Sequence, residues 1–140
     1  MIYYLAVRFS QETNMLLSEF RLMNGLSNGI WPKLGFHTTV SYSKEPFKYP
    51  IRDLPKHPIG FAAARNIKLF GTSLVLTYSS EYLNIMHNLT MLNGATYDYP
   101  KYIPHITIIE DCKSIPLIKE VLIPIILSEI FYIEWKENHG

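Results

Sequence analysis

Two short stretches decide how this chain is read: His37-Thr38-Thr39-Val40 and His105-Ile106-Thr107-Ile108. Each is histidine, any residue, threonine, then an apolar residue, and each lies in a run of strand formers, His37–Ser43 and His105–Ile109. Residues two apart on a strand share a face. His37 therefore points with Thr39, and His105 with Thr107. Val40, Ile106 and Ile108 point the other way, into a core. One His-x-Thr arises easily by chance, and a lone histidine is commonly structural or solvated. Two copies on two strands, one in each half of the chain, point to one groove lined by two imidazoles and two hydroxyls.

Outward from these strands, the pattern alternates between the two periods. Ile2–Phe9 alternates with period two, Tyr3, Leu5, Val7 and Phe9 on one face, Tyr4, Ala6 and Arg8 on the other. Gln11–Met23 has helical spacing after Ser10 and ends at Asn24-Gly25. Leu26–Gly35 and the proline-rich Lys44–Pro58 read as loops. Phe61–Phe70 and Ser73–Tyr78 form a hairpin at Gly71-Thr72. Ser79 or Ser80 caps a helix over Glu81–Leu92, stopped by Asn93-Gly94. Ala95–Pro104 is an aromatic loop, Ser114–Leu122 a short helix, and Ile125–Trp135 a last strand or two short ones. Met15, Met23, Met86 and Met91 read as core filler on the helices. The order predicts an α+β fold of two similar halves, with mixed, mainly antiparallel sheets lining a central groove and helices outside.

The composition suits one domain over residues 1–140, with 48% apolar and 18% charged residues. The formal net charge of +1 shows no basic stripe, so a small anionic ligand is easier to accept than duplex DNA. Cys112 is the single cysteine, which excludes an intramolecular disulfide and a cysteine-based zinc site. Met1–Phe9 lacks a basic lead-in, and Ile115–Ile133 is broken by Lys119, Glu120, Pro124 and Glu129. A soluble, cytoplasmic protein without a membrane partner is expected. No Gly-rich phosphate loop is present, and nothing converges on Glu110-Asp111 to hold a metal, so neither metal nor cofactor is expected. His57, His87 and His139 lack a threonine two residues on and read as structural or solvent histidines.

The doubled motif suits phosphodiester cleavage. One histidine removes a proton from the attacking oxygen, and the other protonates the leaving oxygen. Thr39 and Thr107 donate to phosphoryl oxygens. The catalytic candidates are His37, Thr39, His105 and Thr107, with the assignment of base and acid open. Substrate-binding candidates follow from strand alternation. Tyr4 lies on the less apolar face of its strand and can stack on a base. In the last strand, Phe131, Ile133 and Trp135 read as the core face, so Glu134 looks into the groove and can accept from a base edge. Among the loop tyrosines 97, 99 and 102, Tyr102 is the chosen pocket wall.

With these residues in view, the chain resembles the two-histidine (2H) phosphoesterase superfamily. It is most similar to the phage anti-CBASS nucleases, which destroy the cyclic oligonucleotide signals of bacterial defence. The closer resemblance rests on Gly94–Thr107, on the Leu69-Phe70-Gly71 hairpin, on the motif separation and on the short tail. It implies a 2H-like bilobal fold and a metal-independent phosphodiesterase in the host cytoplasm. Its substrates would be the 3′–5′ bonds of cyclic di- and trinucleotides. It also implies an N-terminal tyrosine and a C-terminal glutamate at the substrate. The rival readings are an RNA-processing enzyme acting on 2′,3′-cyclic phosphates or 2′–5′-linked RNA, and a non-catalytic protein that sequesters cyclic nucleotides.

Overall fold

A computed structural model describes residues 1–26, 34–49, 53–112, 115 and 117–136. The expected loop Leu26–Gly35 therefore lies mostly outside the described residues, as does His139.

Strand β1 (Ile2–Phe9) is the middle of a three-stranded sheet, flanked by β2 (His37–Ser43) and β8 (Leu127–Trp135). A second three-stranded sheet has the order β4 (Ile67–Phe70), β5 (Ser73–Thr77), β6 (His105–Ile109). Strands β3 (Phe61–Ala63) and β7 (Leu122–Pro124) form a separate pair. The fold is α+β, as expected, but every ladder among the described strands is antiparallel rather than mixed.

Helix α1 (Gln11–Met23) starts where the Ser10 hydroxyl accepts from the Thr13 N–H at 3.2 Å, and α2 (Glu81–Leu92) where Ser80 accepts from Leu83 at 3.2 Å. Helix α1 buries Thr13, Leu17, Phe20 and Arg21, an i, i+4, i+7, i+8 stripe. Met15 and Met23 fall off that stripe and are 56% and 61% exposed. In α2, Met86 is buried and Met91 is 39% exposed. Of the four methionines expected as core filler, only Met86 is fully buried.

Phe70 faces Ser73 across the two-residue turn, with Gly71 at φ +63. A primed hairpin turn wants positive φ at this position, and glycine supplies it without a Cβ clash. The expected Phe61–Phe70 strand is broken by a 3₁₀ turn, Ala64–Asn66. Its first part, β3, pairs with β7 instead of continuing the hairpin. The same pairing replaces the expected helix over Ser114–Leu122: residues 113, 114 and 116 lie outside the described ones, 117–121 are not helical, and Leu122 opens β7. The Val121 carbonyl accepts from Ala64 N–H at 2.9 Å, so tertiary backbone pairing overrides local helical spacing.

Both His-x-Thr strands carry a β-bulge at the same motif position. Ala6 faces Thr39 and Leu5 faces Ser41, which leaves Val40 unpaired. Val75 faces Thr107 and Leu74 faces Ile109, which leaves Ile108 unpaired. A bulge bends its strand and raises the local twist. The apolar residue closing each motif is the bulged one, and both are fully buried in the main core. That core also takes Leu5, Val7, Phe9, Leu74, Leu76 and Ile106. Ile2, Tyr4 and Ala6, on the other face of β1, form a smaller cluster with Phe131 and Trp135. Among the described residues, no helix is long and apolar enough to cross a membrane.

Candidate active site

Burial alternates along both motif strands: His37 and Thr39 are half-buried around buried Thr38, and His105 and Thr107 around buried Ile106. The strands are tied to each other at Thr38. Its hydroxyl donates to the His105 carbonyl at 3.0 Å, which leaves Tyr78 to donate to Thr38 Oγ1 at 2.7 Å. Tyr78 is buried and burial pushes its pKa up, so it stays a donor. Thr38→Val should therefore leave a buried phenol and a carbonyl unpaired, costing about 1–3 kcal/mol. A urea titration checks this, and an unchanged midpoint would exclude it.

The two histidines are held alike. His37 Nδ1–H donates to the Gly35 carbonyl at 2.8 Å, and His105 Nδ1–H to the Ile103 carbonyl at 2.9 Å, each two residues upstream. A carbonyl only accepts, so the neutral ring carries its proton on Nδ1 and presents the lone pair on Nε2. Each ring also meets a phenylalanine: His105 against Phe70 at 4.9 Å and His37 against Phe131 at 6.3 Å between centroids, both edge-on. Burial pushes His37 below the usual 6.5; the Gly35 carbonyl opposes this, the charges of Arg8 and His105 add to the depression, and Glu110 works against it. Burial also lowers His105, with the Ile103 carbonyl opposing. Both imidazoles therefore favour the neutral form.

Tyr4 lies on the expected face, with Arg8 and Thr39, but its ring is enclosed rather than open. It is 5% exposed, edge-on to His37 and Tyr42, and tilted against Phe131 and Trp135. No base can lie on a ring so enclosed. Its hydroxyl instead meets Thr39 Oγ1 at 2.7 Å. The phenol is the stronger acid of the two and donates, which frees the Thr39 proton for a ligand. Burial raises the Tyr4 pKa and keeps that proton in place.

Tyr102 is also committed to the motif strand. It donates to the Thr39 carbonyl at 2.6 Å and stacks on His87 at 4.2 Å and 6°. His87 is buried, and its Nδ1–H donates to the carbonyl of bulged Val40 at 2.7 Å. His87 is thus a structural histidine, as expected, with the particular task of holding the carbonyl next to a bulge.

Glu134 does not share the face of His37 and Thr39. It pairs with Tyr3 and lies exposed beside Tyr132, whose hydroxyl donates to it at 2.7 Å. Phe131 pairs with Ala6, Ile133 with Tyr4 and Trp135 with Ile2, so these three share the face of Tyr4 and Thr39. Alternation sorted β8 into the right two sets, but pairing with β1 puts the Phe131 set, not Glu134, on the face of the His37 motif. Arg8, which pairs with His37, also belongs to the groove face and was overlooked, although alternation had already grouped it with Tyr4. Thr38 and Tyr78 were overlooked because their link joins β2 and β6 to the residue just after β5, across distant parts of the chain. Among the described residues, no group of three or more His, Cys, Asp and Glu comes together as a metal site.

The fold and the site define an α+β protein with two matched His-x-Thr strands, each histidine held through Nδ1 to a carbonyl two residues upstream. Residues 2–138 match the family described as Anti-CBASS protein Acb1, and the chain belongs to that family. The Anti-CBASS protein Acb1 of Enterobacteria phage T4 is 30% identical over 96% of this chain and 86% of its own length. Its namesake from Acinetobacter phage Ac42 is 29% identical, over 83% of this chain and 77% of the relative. That of Salmonella phage S16 is 27% identical, over 96% and 91%.

Proposed function

We propose that this protein is a phosphodiesterase of the two-histidine type that opens cyclic di- and trinucleotide signals of the CBASS response without a metal, so that a phage evades that defence. The observation that carries the reading is the matched pair of histidines, each held by Nδ1 to a carbonyl and each paired on its strand with a threonine of the same face. A ribose 2′-hydroxyl attacks the adjacent phosphorus while one Nε2 takes its proton. The other imidazole, protonated, gives a proton to the leaving 5′-oxygen, and the P–O5′ bond breaks. Water then opens the 2′,3′-cyclic phosphate. Thr39 and Thr107 donate to the phosphoryl oxygens as charge develops. Family membership supports the CBASS role.

The test is incubation with cyclic dinucleotides, cyclic trinucleotides and a 2′,3′-cyclic nucleotide under excess chelator. Linear products from the cyclic oligonucleotides are expected. Turnover of the 2′,3′-cyclic nucleotide alone would transfer the reading to RNA processing, tight retention without product would make it a sequestering protein, and loss of activity with chelator would end the metal-free claim.

The pH dependence follows from the two depressed histidines. The kcat/KM profile reports the free protein, needs one neutral and one protonated imidazole, and both pKa values lie below 6.5. Its maximum is therefore expected on the acid side of 6.5. A bound phosphate anion favours the imidazolium, so the kcat profile should be displaced to higher pH. A kcat/KM maximum above neutrality would contradict this.

A further inference from the structure

Arg8 takes no part in the proton transfers assigned to the two histidines. It sits on β1 directly across from His37 and on the face of Tyr4 and Thr39. One guanidinium N–H is held by Glu129 Oε1 at 2.7 Å, and the guanidinium carbon lies 3.9 Å from the Phe131 ring centroid. The two charged side chains are 37% and 50% exposed. An ion pair this wet is weakly held and easily exchanged. The stack on Phe131 is different: it keeps the planar fork in one place whether or not Glu129 is bound. Phe131 in turn touches His37 edge-on. Because Ala6, between Phe131 and Thr39, has only a methyl group, these groups converge above it.

We propose that Arg8 is the groove's phosphate anchor: a phosphodiester anion displaces Glu129 from the guanidinium, taking two parallel N–H bonds while Phe131 holds the fork. The inference rests on the phosphodiesterase reading above and adds a binding role to it. Among the described residues most of the five guanidinium donors are uncommitted, a planar fork matches a phosphate edge, and bidentate charge-assisted bonds of this kind are among the stronger polar contacts. Glu129 then acts as a placeholder that keeps Arg8 extended along the groove in the free protein. The positive charge of Arg8 also disfavours protonation of His37, which suits His37 to the base role and leaves His105 the acid.

The experiment compares Arg8→Ala, Arg8→Lys and Glu129→Gln with the wild type, using a cyclic dinucleotide as substrate and thermal melting as a folding control. Arg8→Ala should raise KM about ten- to a hundredfold with a smaller change in kcat, and move the acid limb of the kcat/KM profile to higher pH. Arg8→Lys should recover part of the KM, since it restores charge but not the fork. Glu129→Gln should leave KM unchanged or lower it. If Glu129→Gln is as damaging as Arg8→Ala, the ion pair is structural and the proposal is overturned. It is equally overturned if Arg8→Ala keeps KM within twofold. Isothermal titration with a nucleoside monophosphate separates the two readings. If the wild type cuts no cyclic dinucleotide yet its monophosphate affinity depends on Arg8, the anchor stands and the phosphodiesterase reading falls. If cyclic dinucleotides are cut and neither KM nor monophosphate affinity responds to Arg8, the anchor alone falls.

Discussion

Replacing His37 or His105 by alanine is expected to lower kcat/KM for a cyclic dinucleotide by roughly 10²- to 10⁴-fold, a barrier increase of about 3–5 kcal/mol. Both rings are oriented by one Nδ1–H bond to a carbonyl two residues upstream, so each offers Nε2 for proton transfer. In the proposed mechanism neither can replace the other, since one accepts a proton while the other gives one. The two losses should not add. Once one transfer fails, the concerted route is gone, and the double variant should be little slower than the worse single variant. Steady-state cleavage on folded variants checks both points. A single variant within a factor of a few of the wild type would rule out the mechanism, and fully additive losses would show two independent roles instead of one coupled step.

Thr39→Val should cost about 10²- to 10³-fold in kcat, the range for removing one donor to a developing oxyanion. Tyr4→Phe should cost less, on the order of tenfold, because Tyr4 acts through Thr39 and does not reach the groove itself. Without the phenol, the Thr39 hydroxyl keeps its donor but loses the 2.7 Å bond that aims it. The discriminating variant combines the two. On a Thr39→Val background, Tyr4→Phe should have almost no further effect on kcat. A double variant slowed by the product of the two factors would mean that Tyr4 touches the substrate independently, against its burial here.

The elements of this fold were legible wherever one local signal governed them. Both helices begin at a serine cap and end at Asn-Gly, and their expected limits, Gln11–Met23 and Glu81–Leu92, are the observed ones. The hairpin at Gly71 needs only a two-residue turn with positive φ. Legibility stopped where a distant partner decided the outcome. Residues 117–121 have apolar spacing compatible with a helix, but the backbone around them pairs with Ala64 and with β3. Met15 and Met23 have the chemistry of core residues on a helix whose buried stripe passes elsewhere.

The same division runs through the site. The sequence by itself determined which residues travel together: His37 with Thr39, His105 with Thr107, Phe131 with Trp135, Tyr4 with Arg8. Period-two alternation is a property of the backbone and needs no partner. Only the tertiary structure decided which face each group presents. The register of β8 on β1 put Phe131 and Trp135, rather than Glu134, on the face of Tyr4 and Thr39, and the enclosure of Tyr4 changed it from a stacking platform to a donor behind Thr39. A strand has two equivalent faces until another strand binds one of its edges. That choice is made by hydrogen bonds between residues more than a hundred positions apart, which no local pattern contains.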